Sequence, residues 1–294
     1  MTRIGLNCAL SSAFRQDGAL DLPRMVAHAK WVLANGADGI TLFGTTGEGA
    51  SIGLGDRYAA MGAMAGAGLD MRRQVIAGVS AASEAEIVAQ CEAAYDMDCR
   101  AILLAPPFYF SGVSDDALFK LFSSIITRLG ARARDIFLYH IPGMTRVPLS
   151  VELTRRLVDA FPGVIAGVKD SAGDWPMTAR RLKELSDLQI LVGDERHLAN
   201  AVKNGGSGSI CGLANVTPDL LRPLANEGKD DQRIHAMVDA ILGYSFMPAI
   251  KALIAAQLGD PAWRIMRAPL DPLSEADAVT LAGKISAIRA QKAA

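Results

Sequence analysis

Short apolar runs recur along the chain, each followed by a longer stretch whose apolar residues fall three and four apart. The runs are Gly5–Ala9, Gly39–Phe43, Val75–Val79, Ala101–Leu104, Ile136–Tyr139, Val164–Val168, Ile190–Val192 and Ser209–Cys211. They return about every 20 to 35 residues, the length of a strand–loop–helix unit. Because the runs are nearly continuous in apolar residues, they predict strands covered on both faces rather than one. Between them, Leu22–Ala34 places Val26, Ala29, Val32 and Leu33 at helical spacing, and Asp115–Leu129 does the same with Leu118, Leu121, Phe122 and Ile125. Ser83 with Glu86 reads as a capping box, and Ser150 opens Val151–Ala160 in the same manner. Eight such alternations predict a closed parallel barrel. No GxGxxG turn follows the first run, as an open doubly wound nucleotide-binding sheet would have. After Val216 the alternation stops, and only helical patterns remain, including Asp231–Tyr244 and Ser274–Gln291. The expectation is an α/β fold: a (β/α)₈ TIM barrel over residues 1–217, with a C-terminal helical extension over residues 218–294 packed on it.

Composition narrows the function classes. The chain has 294 residues, 50% of them hydrophobic and 21% charged, enough for a large buried core. The formal net charge is -1 with Lys and Arg scattered, so neither a nucleic-acid nor a membrane partner is expected. No apolar run approaches the ~18 residues of a membrane span. The opening residues Met1 to Gly5 lack a secretory h-region. Cys8, Cys91, Cys99 and Cys211 show no CxxC spacing and read as reduced, buried thiols, which suits a cytoplasmic protein.

A parallel barrel carries its chemistry at the C-terminal ends of its strands. Of the nine lysines, Lys169 alone ends an apolar run, Gly163 to Val168. Burying an ammonium there is costly, and the neutral amine it favours is a nucleophile toward ketones. The resulting iminium draws electrons from the neighbouring carbon. A lysine paired with Asp170, or one that binds phosphate, remains an alternative. Tyr139 ends the preceding run and can approach Lys169 to relay protons, or can simply cap the core. Alternation turns His140 away from the barrel axis, which makes it structural. Gly44-Thr45-Thr46-Gly47-Glu48 offers hydroxyls and backbone N–H groups to an anion, without the GK[ST] ending of a P-loop. Asp194, Glu195 and His197 are the nearest approach to a metal set, but no HExxH, EF-hand or paired Cys/His spacing supports one, so no metal or cofactor is expected. No GxSxG elbow is present either.

These segments together resemble the dihydrodipicolinate synthase / N-acetylneuraminate lyase family of class I pyruvate aldolases. The resemblance covers nearly the whole chain. It rests on Gly44 to Glu48, Pro106-Pro107-Phe108-Tyr109, Tyr139-His140-Ile141-Pro142, Gly167 to Ser171, Gly193-Asp194-Glu195, Ile210 with Ala214-Asn215, and Pro269 to Leu273. It implies a homotetramer built as a dimer of dimers. Lys169 matches the Schiff-base lysine, Tyr139 the proton-relay tyrosine, and Thr45 the hydroxyl linking that tyrosine to a second one. Tyr109 matches that second tyrosine, lent by a neighbouring subunit. Thr46, with Gly47 beside it, matches the carboxylate-binding loop, and the Ile210 carbonyl matches the group facing the keto acid. Asp194 and Glu195 fall where neuraminate lyases contact sugar hydroxyls, and Gly193 and Asp194 are the substrate-binding residues expected in this loop.

Met144 departs from the pattern, because dihydrodipicolinate synthases carry an Arg there to grip a second carboxylate; Arg146 lies two residues on. Ser11-Ser12 replaces the usual Thr-Pro, and Tyr139-His140 replaces Tyr-Asn. The resemblance therefore implies a Schiff-base-forming lyase or aldolase acting on pyruvate or a 2-keto-3-deoxy acid, with a hydroxylated aldehyde or semialdehyde as the other half. Alternatives are 4-hydroxy-tetrahydrodipicolinate synthase, a 2-oxo acid dehydratase or deaminase using the same lysine, and a non-catalytic 2-oxo acid binder.

Overall fold

The structure, a computed structural model, describes residues 3–291, so the ends of the two predicted divisions, residues 1–2 and 292–294, lie outside the described residues. Eight strands close into a parallel barrel in sequence order: β1 Gly5–Ala9, β2 Gly39–Leu42, β3 Val75–Val79, β4 Ala101–Leu104, β5 Ile136–His140, β6 Ile165–Asp170, β7 Gln189–Val192 and β8 Gly208–Cys211. β1 pairs with both β2 and β8, so no strand edge is left open. The expected runs and the observed strands coincide except at their ends. β5 and β6 run on by one and two residues, which puts Lys169 inside its strand rather than after it.

The helices that cover the barrel are α1 Leu22–Ala34, α2 Leu54–Gly66, α3 Met71–Gln74, α4 Glu84–Asp96, α5 Asp115–Leu129, α6 Pro142–Thr145, α7 Val151–Ala160, α8 Trp175–Glu184, α9 Leu198–Lys203 and α10 Pro218–Glu227. Their starts follow the capping chemistry of the sequence: Ser83, Ser114 and Ser150 each accept a hydrogen bond from the backbone N–H three residues on. α10 packs on β1, β8 and α9, the place of an eighth barrel helix. Beyond it come α11 Gln232–Leu242, α12 Phe246–Leu258 and α13 Glu275–Arg289, with α12 packed against both of its neighbours.

Alternation along the strands divides the core in two. Leu6, Cys8, Ile40, Leu42 and Val168 face outward into one large apolar layer beneath the helices. Ala9, Ile76, Leu103, Phe137, Tyr139, Leu191 and Ile210 fill the barrel interior. Gly167 sits where β6 passes closest to β7. A Cβ there would lie 1.9 Å from the Gln189 carbonyl oxygen, so only glycine allows these two strands to pair at that point. All four cysteines are free and buried. Among the described residues no single helix is long and apolar enough to cross a membrane.

Candidate active site

Lys169 and Tyr139 are register partners on neighbouring strands, both inside the barrel near its C-terminal end. The Lys169 Nζ donates to the Tyr139 Oη at 3.2 Å, and it lies 4.3 Å from the centroid of the same ring. Thr45 Oγ1 lies 3.2 Å from the Tyr139 Oη on its other side. The three groups form a continuous chain of amine, phenol and hydroxyl, in which a proton can pass through the central oxygen. Lys169 is 4% exposed and Tyr139 5%, so the amine has few competing water contacts.

The alternative partner is occupied elsewhere. Asp170 points outward between β6 and α8, where its carboxylate accepts from Arg181 at 2.6 Å and from the Thr178 hydroxyl at 3.0 Å. Arg181 also donates to the Leu149 carbonyl, and both side chains of the Asp170–Arg181 pair are fully buried. His140 likewise points outward. Its Nδ1 accepts the Leu149 N–H at 3.0 Å, which requires the neutral ring, and burial pushes its pKa down to about 4. The structural reading of His140 thus agrees with its geometry.

The loop after β2 carries Thr45, Thr46 and Gly47 between two non-glycine residues in left-handed conformation, Phe43 (φ 59°) and Glu48 (φ 55°). Such a backbone persists only when its surroundings hold it. Arg57 donates to the carbonyls of Gly49, Ile52 and Gly78, and its guanidinium stacks over Phe43 at 4.8 Å. The Ser12 hydroxyl donates to the Gly47 carbonyl at 2.7 Å. Glu48 reaches into the C-terminal helices, where its carboxylate accepts from the Lys251 ammonium at 2.7 Å. Lys251 also donates to the Ile265 carbonyl and sits over the Phe14 ring. Burial pushes the Lys251 pKa down, and Glu48 opposes that shift.

Lys251 is not among the residues that the sequence singles out, since Lys169 alone ends an apolar run; yet Lys251 is 0% exposed. A signal was available: it is the lone charge in the helix Phe246–Leu258. Phe246 also escaped notice. A Cβ at Gly212 would meet the Phe246 ring tip at 2.5 Å and the Thr46 hydroxyl at 3.3 Å, so these three groups enclose one corner of the barrel mouth.

The other predicted residues fall in different places. Ile210 is fully buried in the interior cluster with Tyr139. Gly193 is required by crowding, since a Cβ there would lie 2.0 Å from the Ser171 hydroxyl. Asp194 caps a short turn and is bound by Arg196 through its backbone N–H and its guanidinium. Glu195 is buried, accepts the Leu213 N–H at 2.9 Å, and is pushed up to about 7 by desolvation. Tyr109 is 87% exposed, in left-handed conformation (φ 86°), and does not border the cavity beside Tyr139. Met144 does border that cavity, whereas Arg146 is exposed and caps the end of α6. Among the described residues no group of three or more His, Cys, Asp or Glu side chains could hold a metal ion.

Comparison with known proteins agrees with this architecture. The sequence pattern of the Dihydrodipicolinate synthetase family matches residues 3–288. An uncharacterized DapA-like lyase of Chloroflexus aurantiacus is 30% identical over 286 residues, 94% of each chain. A 4-hydroxy-tetrahydrodipicolinate synthase of Azoarcus sp. is 30% identical over 275 residues, 91% of this chain and 92% of the relative. The crystal structure of a dihydrodipicolinate synthase from Agrobacterium tumefaciens superposes with a TM-score of 0.95 at 45% identity, covering 97% of this chain and 99% of that one. A closed barrel of this connectivity, matched in sequence from end to end, makes the chain a lyase of the dihydrodipicolinate synthetase family.

Proposed function

We propose that Lys169 forms an iminium with pyruvate or a related 2-oxo acid and that the enzyme makes or breaks a carbon–carbon bond through the derived enamine. The observation that carries this reading is the buried chain of Lys169 Nζ, Tyr139 Oη and Thr45 Oγ1, with two contacts of 3.2 Å. The amine adds to the ketone carbon, and the carbinolamine loses water with Tyr139 supplying the proton. Loss of a methyl proton gives the enamine. Its carbon attacks the aldehyde carbonyl, whose oxygen takes up a proton, and hydrolysis returns the water and frees the amine. The net reaction joins one 2-oxo acid and one aldehyde into a 4-hydroxy-2-oxo acid, or reverses that joining. No cofactor enters these steps.

The loop holding Thr46 and Gly47 supplies hydroxyl and backbone N–H donors for the keto-acid carboxylate, and the Ile210 backbone carbonyl faces the keto acid. In this reading Tyr109 reaches the relay from a neighbouring subunit, because within its own chain it points to solvent. The assembly proposed is a tetramer built from two such pairs. Four reduced thiols suit a cytoplasmic location. Asp194, tied to Arg196, has less to offer a substrate than its sequence position suggested. The synthase that acts on aspartate semialdehyde is disfavoured by Met144, which brings a thioether to the cavity where a guanidinium would clamp a carboxylate. A dehydratase or deaminase would share every step up to the enamine.

Borohydride added with pyruvate is expected to fix a reduced adduct on Lys169, located by peptide mass. A folded protein that gives no adduct there would refute the reading. Exchange of the pyruvate methyl protons for deuterium separates an enzyme from a passive binder, since a binder would be stabilised against heat without exchange.

A further inference from the structure

Beside Tyr139 the barrel mouth opens into a cavity of about 370 Å³, within the range of small-molecule sites and roomier than a three-carbon keto acid needs. Thr45 and Tyr139 border it, so it adjoins the proton relay, and the Lys169 Nζ is one contact further in, 3.2 Å from the Tyr139 Oη. Its remaining wall is formed largely by Val79, Phe108, Ile141, Met144, Met247 and Leu270. None of these six side chains can donate a hydrogen bond, and only the two methionine sulfurs accept one weakly.

The polar side chains at its border are already committed. Thr145 donates to the carbonyls of Ile141 and Val147. The Ser51 hydroxyl donates to the Glu48 carbonyl, and the Glu48 carboxylate is held by Lys251. Arg267 gives its guanidinium to the Gly18 and Ser51 carbonyls and to Asp56, with its plane over Phe14. Thr45 and Tyr139 face each other. Among the described residues of the one chain Ser80 is left as the one further hydroxyl at the border; in the assembly proposed above the partner subunit's Tyr109 adds a phenol beside Thr45, on the side of the relay and away from the wall around Met144 and Met247.

This arrangement is poorly suited to a polyhydroxylated aldehyde, whose hydroxyls would lose water and gain few partners. It is equally poor for a semialdehyde carboxylate, which would find Met144 and a guanidinium already bound to three groups. We propose that the second substrate is an apolar aldehyde, aliphatic or aromatic, and that the wall around Met144 and Met247 is its specificity surface. The inference rests on the iminium reading above and replaces the hydroxylated partner expected from the sequence.

The test uses the purified full-length chain with saturating pyruvate and a panel of aldehydes: propanal, butanal, hexanal, benzaldehyde, glyceraldehyde and succinic semialdehyde. Pyruvate consumption is followed, and borohydride trapping with pyruvate alone is run in parallel. From propanal to hexanal kcat/KM is expected to rise about fourfold per methylene, the value of burying one CH₂. Hexanal and benzaldehyde are each expected to exceed glyceraldehyde and succinic semialdehyde by about tenfold or more. Met144→Arg and Met247→Gln are each expected to shrink that ratio. If glyceraldehyde or succinic semialdehyde matches hexanal, or if no apolar aldehyde is consumed, while the Lys169 adduct still forms, the apolar half-site is overturned and the iminium reading stands. Absence of the adduct from folded protein overturns both.

Discussion

Replacing Lys251 by methionine tests how the C-terminal helices act on the site. The substitution leaves an unbranched side chain one atom shorter and removes its charge, which leaves the Glu48 carboxylate buried. Both side chains are at most 1% exposed and their charged atoms lie 2.7 Å apart. At an effective dielectric of ~20 two unit charges at that distance attract by about 6 kcal/mol. Much of this attraction offsets the cost of desolvating both ions, so the pair need not stabilise the fold on balance. Removing one partner is different, because the desolvation cost of Glu48 remains while the attraction is lost. Among the described residues the only other hydrogen bond to that carboxylate comes from the Arg267 backbone N–H at 3.4 Å. The expected loss is about 3–5 kcal/mol. At about 2–3 °C per kcal/mol in a chain of this size, the melting temperature falls by about 10 °C. Adding Glu48→Gln should recover more than half of the loss, since no charge is then left buried alone. The second readout is catalytic. Glu48 directly follows the Thr45–Gly47 loop, and a shift of about 1 Å in a reacting group can cost about 100-fold. Deuterium exchange into the pyruvate methyl, measured well below the melting temperature, should therefore fall in both variants, even where the double variant is stable. A single variant within 1 kcal/mol of the parent protein, or a double variant no more stable than the single, would show that the pair does not hold the loop.

Four further outcomes follow from the geometry. Tyr139→Phe should slow deuterium exchange by about 10²–10⁴-fold while borohydride trapping on Lys169 stays measurable, because the phenol moves protons and the amine forms the bond. Asp170→Asn should cost about 3–5 kcal/mol by leaving buried Arg181 without its counter-charge, yet still give the Lys169 adduct; loss of the adduct from folded protein would mean that the aspartate acts on the lysine after all. Glu195 titrates near 7 when folded against an ordinary value of 4.5, so its contribution is full below pH 4.5 and is lost as pH rises through 7; Glu195→Gln should raise stability above pH 7 by about 3 kcal/mol and flatten that slope in urea titrations. His28 and His140 carry the opposite sign: both are pushed down to about 4 by burial, so their contribution is present above 6.5 and lost as pH falls toward 4, and His140→Asn should lessen acid unfolding over that window without abolishing it.

The chain's own pattern determined the barrel. Eight apolar runs with helix-length intervals leave few alternatives, because strands buried on both faces must be nearly continuous in apolar residues, and capping serines mark the helix starts locally. Lys169 and Tyr139 were legible for the same reason, as polar residues at the ends of apolar strands. The boundary drawn at 218 was less so: α10 lies past the last strand, and nothing local distinguishes a helix that covers β1 and β8 from one of the extension that follows. What only the tertiary structure decided was which partner each charged group takes. Asp170 is adjacent to Lys169 in sequence, yet strand alternation sends it outward to Arg181, eleven residues on. Glu48 and Lys251 are 203 residues apart and meet because α12 folds back against the β2 loop. The character of the second-substrate cavity was likewise out of reach. Ile141 and Met144, Met247, and Leu270 come from three distant segments and look unremarkable singly, and the hydrogen bonds that occupy Arg267 exist only once those segments are packed. Local pattern fixes what each residue can do; long-range packing fixes what remains free to act on a substrate.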